Sequence, residues 1–168
     1  IDNVIVATGL VRDRLSALRP DQAGVFDRNA QQYRARLGAL KAWATREIAR
    51  LPAQRRQLIT SHEAFGYFAR DFGFEVHAIS GLSSDGEPNA KELAALIDLI
   101  REHHIPAVFA ESSVNARIVS NLVAETGVRL GGVLYADGIG PSGSDASDYA
   151  AMYRHNVTTI VNGLLAAE

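Results

Sequence analysis

From position 56 onward the sequence alternates between short apolar runs and longer amphipathic stretches, and this alternation most constrains the fold. The apolar runs cover about 57–60, 75–79, 106–110 and 129–135, and the helical stretches cover 63–72, 89–102, 114–126 and 148–166. Repeated strand–helix units form parallel sheets, because each crossover helix returns the chain to the same edge. The sequence therefore predicts an α/β fold, with an open parallel sheet and helices on both faces.

The residues before position 56 predict helices instead. Apolar residues at helical spacing run over 3–18, Pro20 interrupts the pattern, and a second helical stretch follows from Asp21 to about Leu51. A helix of about thirty residues would be ~45 Å long. Such a helix is long for a chain of 168 residues, and it is typical of a coiled-coil arm, a spine between two lobes or an oligomer contact.

Composition excludes several classes of function. The formal net charge is −2 and like charges are dispersed, so we expect no nucleic-acid partner and no anionic membrane surface. The chain has no cysteine, which excludes disulfides, thiolate zinc sites and thiol catalysis. No apolar run approaches the roughly 20 residues that a transmembrane helix needs.

Three predicted strands are each followed by a side chain that can bind a metal. The run 57–62 stops at His62, the run 107–111 at Glu111, and the run 132–137 at Asp137. In an open α/β sheet, ligands bind in the crevice beyond the carboxyl ends of the strands. One imidazole and two carboxylates at that edge predict a site for a divalent first-row cation.

Each of these residues also has an ordinary structural explanation. His62 could cap or pack at a strand–helix turn, where Ser61 is expected to cap the following helix. Glu111 could interact with a helix dipole, and Asp137 precedes a glycine, as in many turns. For the remaining histidines we predict structural roles: His77, His103, His104 and His155.

A hydrolase is an alternative, since Ser61, His62 and Asp137 supply the residue types of a catalytic triad. The sequence lacks the Gly-x-Ser-x-Gly elbow that presents such a serine. Ser61 is also adjacent to the only suitable base, and neighbouring side chains at a turn diverge. We therefore expect that the protein is not an enzyme.

Several motifs together resemble the metal-binding subunits of ABC transporters for manganese, zinc and iron. The matching stretches are 60–68 (TSHEAFGYF), 86–93 (GEPNAKEL), 109–115 (FAESSVN), 134–141 (LYADGIGP) and 149–156 (YAAMYRHN). They occur in the order of that family and extend over nearly the whole chain. The resemblance implies two α/β lobes, one long helix between them and a metal ion in the cleft.

The resemblance also implies a ligand set and a division of the chain. His62, Glu111 and Asp137 match the second, third and fourth metal ligands of the family. Residues 1–19 resemble the end of the N-terminal lobe, 20–51 the spine helix, and 56–168 the C-terminal metal-binding lobe. The expected cargo is Mn²⁺ or Zn²⁺, with Fe²⁺ as a third candidate, because a glutamate in the third position favours harder cations.

The family's partner and location follow in the same way. The implied partner is an ABC transporter permease, and the implied location is the periplasm or, through a lipid anchor, the outer face of the plasma membrane. The family's first histidine normally lies just upstream of Asn3, so we expect a mature or truncated product. Self-association of such a chain, and an adhesion or assembly role for the same fold, are the alternatives that the resemblance leaves open.

Overall fold

A computed structural model describes the fold for residues 1–79, 90–112 and 116–165. Within these residues the chain forms six α-helices and four β-strands, and it divides into two compact units, Ile1–Arg46 and Glu47–Glu168. No helix in the described ranges is both long enough and apolar enough to cross a membrane. The motif at 86–93 lies largely outside the described residues.

The first unit contains α1 (Asp2–Leu18) and most of α2 (Ala23–Ile48), joined by a 3₁₀ turn at Pro20–Gln22. Two side-chain pairs connect opposite ends of the helices, Lys41 with Asp2 and Arg12 with Asp27, so α1 and α2 run antiparallel. The predicted interruption at Pro20 is confirmed. The long helix has 26 residues rather than about thirty, because the 3₁₀ turn takes its first residues and it ends at Ile48.

The second unit contains four parallel strands. They are β1 (Gln57–Thr60), β2 (Glu75–Ala78), β3 (Ala107–Glu111) and β4 (Arg129–Leu134). β1 pairs with β2, β3 pairs with β4, and β1 lies beside β3. The carboxyl ends of β1 and β3 are therefore neighbours, which confirms the predicted parallel α/β arrangement.

Helices cover both faces of these strands. They are α3 (Gly66–Phe72), α4 (Ala90–Glu102), α5 (Ala116–Thr126) and α6 (Tyr149–Leu165). One face packs against α4 and α5 through a buried cluster that comprises Ile59, Ile79, Leu96, Ile100, Ile105, Val108, Ala110, Val119, Leu122 and Val128. On the other face α6 lies against β3 and β4.

Phe109 fixes how closely α6 approaches the strands. Its side chain is fully buried, and its ring lies against two glycines, Gly131 on β4 and Gly163 on α6. A Cβ added to Gly131 would lie 2.6 Å from a ring carbon, and one added to Gly163 would lie 2.7 Å away. Only glycine therefore fits at these two positions while the ring remains in place.

The start of α3 differs from the sequence prediction. The helix begins at Gly66 rather than at residue 63, and its N-cap residue is Phe65, so the expected cap by Ser61 is wrong. The main chain of His62 is engaged in other bonds: its N–H bonds a side chain on β3, and its carbonyl accepts from Thr60 and Ala64. These bonds hold the segment between β1 and α3 out of the helical conformation.

Candidate metal site

His62 and Glu111 meet at the carboxyl edge because their strands, β1 and β3, are adjacent. Glu111 ends β3, and His62 lies two residues beyond β1. The Glu111 Oε1 accepts a hydrogen bond from the His62 main-chain N–H at 2.9 Å. The Glu111 Oε2 lies 2.8 Å from His62 Nδ1, and the two residues are only 2% and 5% exposed. The structure thus buries a carboxylate against an imidazole at the predicted position.

The close contact between these two side chains is a buried ion-pair contact. Nδ1 and Oε2 lie 2.8 Å apart, and neither atom has another partner among the described residues. Buried polar atoms are nearly always satisfied, and an exception calls for an explanation such as a bound water or ion. An imidazole and a carboxylate that have no other partner are a donor pair suited to a cation.

Asp137 completes the group of predicted residues. It lies three residues beyond the end of β4, and its side chain is 56% exposed. Its Oδ2 is 3.1 Å from His62 Nε2. The structure therefore brings together all three residues that the sequence singled out, with Asp137 on the solvent side of His62.

The three side chains do not yet surround a common point. Glu111 contacts Nδ1 of His62 and Asp137 contacts Nε2, and these two ring nitrogens point away from each other. Across the described ranges, no three His, Asp or Glu side chains form a cluster that could hold a metal ion as placed. Binding of one ion by all three requires the imidazole to rotate or the Glu111 carboxylate to swing, so the ligand assignment stays a prediction.

Burial sets the electrostatics of this group. Loss of solvent raises the pKa of Glu111, and the His62 main-chain N–H and imidazole oppose this effect only in part. The negative charge of Asp137 raises the pKa slightly further. A proton therefore competes for Glu111 at a higher pH than for an exposed glutamate, and a nearby cation would favour the ionised form.

Asn156 supports the segment that leads to Asp137, and the sequence analysis did not identify it. Its side chain binds both main-chain groups of Tyr135: it accepts from the Tyr135 N–H at 3.0 Å and donates to the Tyr135 carbonyl at 2.7 Å. Asn156 is only 6% exposed and precedes the buried Val157 on α6. A buried amide on the apolar face of a helix was the signal that could have identified it.

His155 has the structural role that the sequence predicted. Its Nδ1 lies 2.9 Å from an Asp145 carboxylate oxygen, and its Nε2 lies 2.9 Å from the carbonyl of Val133. These contacts connect α6 to β4 and to the loop after Asp137. Within that loop, the Gly140 N–H donates to the Ala146 carbonyl at 2.7 Å, which closes the loop on itself.

The chain matches a known family over nearly its whole length. The family model described as ZnuA, zinc-uptake complex component A, periplasmic, matches residues 1–163. The manganese-binding lipoprotein MntA of Bacillus subtilis is 38% identical over 95% of this chain and 54% of its own length. The zinc-binding protein TroA of Treponema pallidum is 37% identical over 92% of this chain and 52% of its own length.

Further similarity extends to an iron-binding protein and to a solved structure. The iron-binding protein YfeA of Yersinia pestis is 32% identical over 96% of this chain and 52% of its own length. The structure of the periplasmic zinc-binding protein TroA of Treponema pallidum superimposes with a TM-score of 0.88 and 36% identity, over 93% of this chain and 58% of that one. The chain thus spans about half the length of these curated relatives.

Proposed function

Because the chain belongs to the ZnuA family of periplasmic zinc-uptake components, we propose that it binds a divalent transition metal for delivery to an ABC transporter permease. The proposed cargo is Mn²⁺ or Zn²⁺, with Fe²⁺ as a third candidate. Relatives named for manganese, zinc and iron binding support this range. One imidazole with two carboxylates suits all three ions, and intrinsic affinity favours zinc over manganese.

One observation carries the proposal, the buried contact between His62 and Glu111. The buried Glu111 carboxylate is unfavourable in the metal-free protein, because loss of solvent raises its pKa and the contact with His62 at 2.8 Å opposes this only in part. A cation that binds both would compensate for this, and the exposed carboxylate of Asp137 is placed to meet an ion entering from solvent. We therefore assign His62, Glu111 and Asp137 as the proposed ligands.

The division of the chain follows the same proposal. We assign residues 56–168 to the C-terminal metal-binding lobe, 20–51 to the inter-lobe spine, and 1–19 to the end of the N-terminal lobe. Relatives described as periplasmic proteins or lipoproteins support a periplasmic or lipid-anchored location. The permease partner is proposed on the same basis.

The hydrolase alternative has little support from the geometry. Both ring nitrogens of His62 contact carboxylates, Glu111 through Nδ1 and Asp137 through Nε2. Neither nitrogen is then placed to accept a proton from Ser61. The relatives are named as binding proteins, which also favours capture and release over catalysis.

Calorimetric titration of the metal-stripped chain with manganese and zinc tests the proposal. The wild type should show saturable one-site binding, and His62→Ala or Glu111→Ala should weaken it at least tenfold. His103→Ala is the control, because His103 is exposed and follows α4 at the opposite edge of the strands. Equal affinity in the wild type and in both site variants would refute the ligand assignment.

Self-association is a second proposal, favoured by a separate observation on α1. Val6, Leu10 and Leu18 are between 62% and 76% exposed on this helix. Large apolar side chains in a row on one helix are typical of an interface. We propose that α1 mediates association of this chain, and light scattering of the wild type beside Leu10→Glu tests it. A monomeric wild type at micromolar concentration would exclude the interface.

A further inference from the structure

A second cluster of polar residues lies at the opposite edge of the strands from His62. An open groove of about 840 Å³ is formed by the amino ends of β1, β3 and β4 and by the carboxyl ends of α4 and α5. Its walls carry three arginines and two histidines: Arg55, Arg101, Arg129, His103 and His104. Among the residues that line it, none is acidic. The whole chain has a net charge of −2, so this cationic concentration is local.

The cationic side chains come from four separate segments. Arg55 ends a 3₁₀ turn just before β1, Arg101 lies in the last turn of α4, and Arg129 opens β4. His103 and His104 form the turn after α4. The parallel topology brings them to one edge, although they are far apart in sequence.

Helix ends often attract cations, but here main-chain N–H groups already bond several of the terminal carbonyls. At the end of α4, the Leu99 carbonyl accepts from the His103 main-chain N–H at 3.0 Å, and the Ile100 carbonyl accepts from Ile105 at 3.1 Å. At the end of α5, the Val123 carbonyl accepts from the Gly127 main-chain N–H at 2.9 Å, and the Glu125 carbonyl lies 3.4 Å from the Arg101 guanidinium. Among the described residues, Arg101 is the groove cation that contacts a terminal carbonyl of these two helices, so capping does not account for Arg55, His103 and His104.

Three of the cationic side chains remain available in the part of the chain that the structure describes. Arg55, His103 and His104 make no side-chain hydrogen bond or ion pair with any described residue. Arg101 makes only a long contact of 3.4 Å to the Glu125 carbonyl. The groove thus presents donors that no described protein group uses.

His104 occupies a backbone conformation that favours glycine. Its φ is 48°, and it is the only residue besides glycine with a positive φ in the described ranges. At the neighbouring helix end in the same groove, the corresponding residue is Gly127, with a φ of 71°. Position 104 therefore carries a histidine side chain in a backbone conformation that glycine would adopt with less strain.

Gln57 adds an acceptor to the groove. Its Nε2 donates to a Glu75 carboxylate oxygen at 3.4 Å, while its buried Oε1 has no hydrogen-bond partner among the described residues. Because this oxygen has almost no exposed surface, a ligand reaches it only once the amide has turned toward the groove, and that ligand must carry a hydroxyl or amino donor. The groove thus combines several cations with one unused acceptor.

We propose that this groove binds a small polyanion that carries several carboxylate or phosphate groups together with a hydroxyl. Guanidinium groups form bidentate hydrogen bonds with such oxyanions, and imidazoles supply further donors. After the Gln57 amide has turned toward the groove, its Oε1 accepts the ligand's hydroxyl. The site shares no residue with His62, Glu111 and Asp137, so it does not depend on the metal-binding proposal.

Calorimetry of the metal-stripped chain with citrate and with pyrophosphate tests this site. Arg55→Gln with Arg101→Gln should weaken the tighter-binding anion at least tenfold. Arg34→Gln with Arg36→Gln is the matched control, because it removes the same charge from exposed positions on α2. Saturable binding lost only in the first pair supports the site. No saturable heat with either anion, or an equal loss in the control, overturns it.

His104→Gly separates a binding role from a structural one. Glycine relaxes the backbone at this position, so the melting temperature should stay the same or rise, while anion affinity falls severalfold. Tricarballylate, which is citrate without its hydroxyl, should bind more weakly than citrate to the wild type, and Gln57→Met should remove that preference. Unchanged anion affinity in His104→Gly would overturn the part assigned to that side chain.

Discussion

Replacing Glu111 with glutamine is expected to stabilise the metal-free protein and to remove most of its response to metal. The carboxylate is only 2% exposed, and burial raises its pKa. A group whose pKa is higher in the folded state stabilises the fold while it is protonated, and that contribution is lost as pH rises through the folded pKa. Near neutral pH, the neutral glutamine should therefore be the more favourable residue, and the difference should shrink as pH falls.

Mass action sets how much stability the metal adds, and therefore how much of that gain the variant loses. At a metal concentration of about 100 times Kd, binding stabilises the wild type by about 2.7 kcal/mol. For a chain of this size that corresponds to a rise in Tm of about 5–11 °C. A change of one ligand that weakens binding about a hundredfold leaves about 0.4 kcal/mol at the same concentration, or about 1–2 °C.

Thermal unfolding of the stripped protein, with and without manganese, measures both effects in one experiment. Glu102→Gln is the matched control, because Glu102 is exposed at the end of α4, far from the candidate site along the strands. The control should keep the wild-type Tm in both conditions. A large fall in Tm of metal-free Glu111→Gln, or a full metal response in that variant, would refute the reasoning.

Acidification is expected to weaken metal binding, because the raised pKa of Glu111 brings proton competition closer to neutrality. Manganese titrations at about pH 7.5 and about pH 5.5 with equal affinities would contradict this. Gly131→Ala should lower the free energy of unfolding by about 1–3 kcal/mol, since its Cβ would lie 2.6 Å from the ring of Phe109. Phe109→Leu should lower the free energy of unfolding less in the Gly131→Ala variant than in the wild type, because the smaller side chain relieves the clash. Additive losses of the two changes in urea unfolding would argue against the clash. Asn156→Ala should cost about 1–3 kcal/mol and weaken metal binding, because both main-chain groups of Tyr135 lose their partner. Unchanged metal affinity in the Asn156→Ala variant would show that the two bonds to Tyr135 do not influence the metal site.

The sequence predicted the parts of the fold that depend on periodicity, namely the alternation of strands and helices and the parallel direction of the strands. Alternating strands and helices require a parallel sheet, and a parallel sheet places the carboxyl ends of β1 and β3 at one edge. That His62 and Glu111 share this edge follows from the topology, whereas their contact depends on β1 lying beside β3, which the sequence did not predict. The start of α3 could not be predicted in this way, because a bond from the His62 main chain to a residue 49 positions away decides it.

The orientation of the site side chains could not be predicted from the sequence either. No pattern of residues tells which nitrogen of His62 meets Glu111 and which meets Asp137, since side-chain torsions depend on the finished packing. Asn156 was missed for a related reason. Its role depends on two hydrogen bonds to the Tyr135 main chain, which form only once α6 lies against β4.

The bonds around position 62 separate the backbone there from the side chain that it carries. Glu111 holds the main-chain N–H, and the Thr60 hydroxyl holds the main-chain carbonyl, so two anchors of this turn do not involve the imidazole. As long as Glu111 keeps this bond, the conformation of the turn does not depend on which side chain position 62 carries. A protein engineer could place cysteine or aspartate there and change the softness of the donor set without redesigning the turn. The fold would then serve as a scaffold for sensors of different metals.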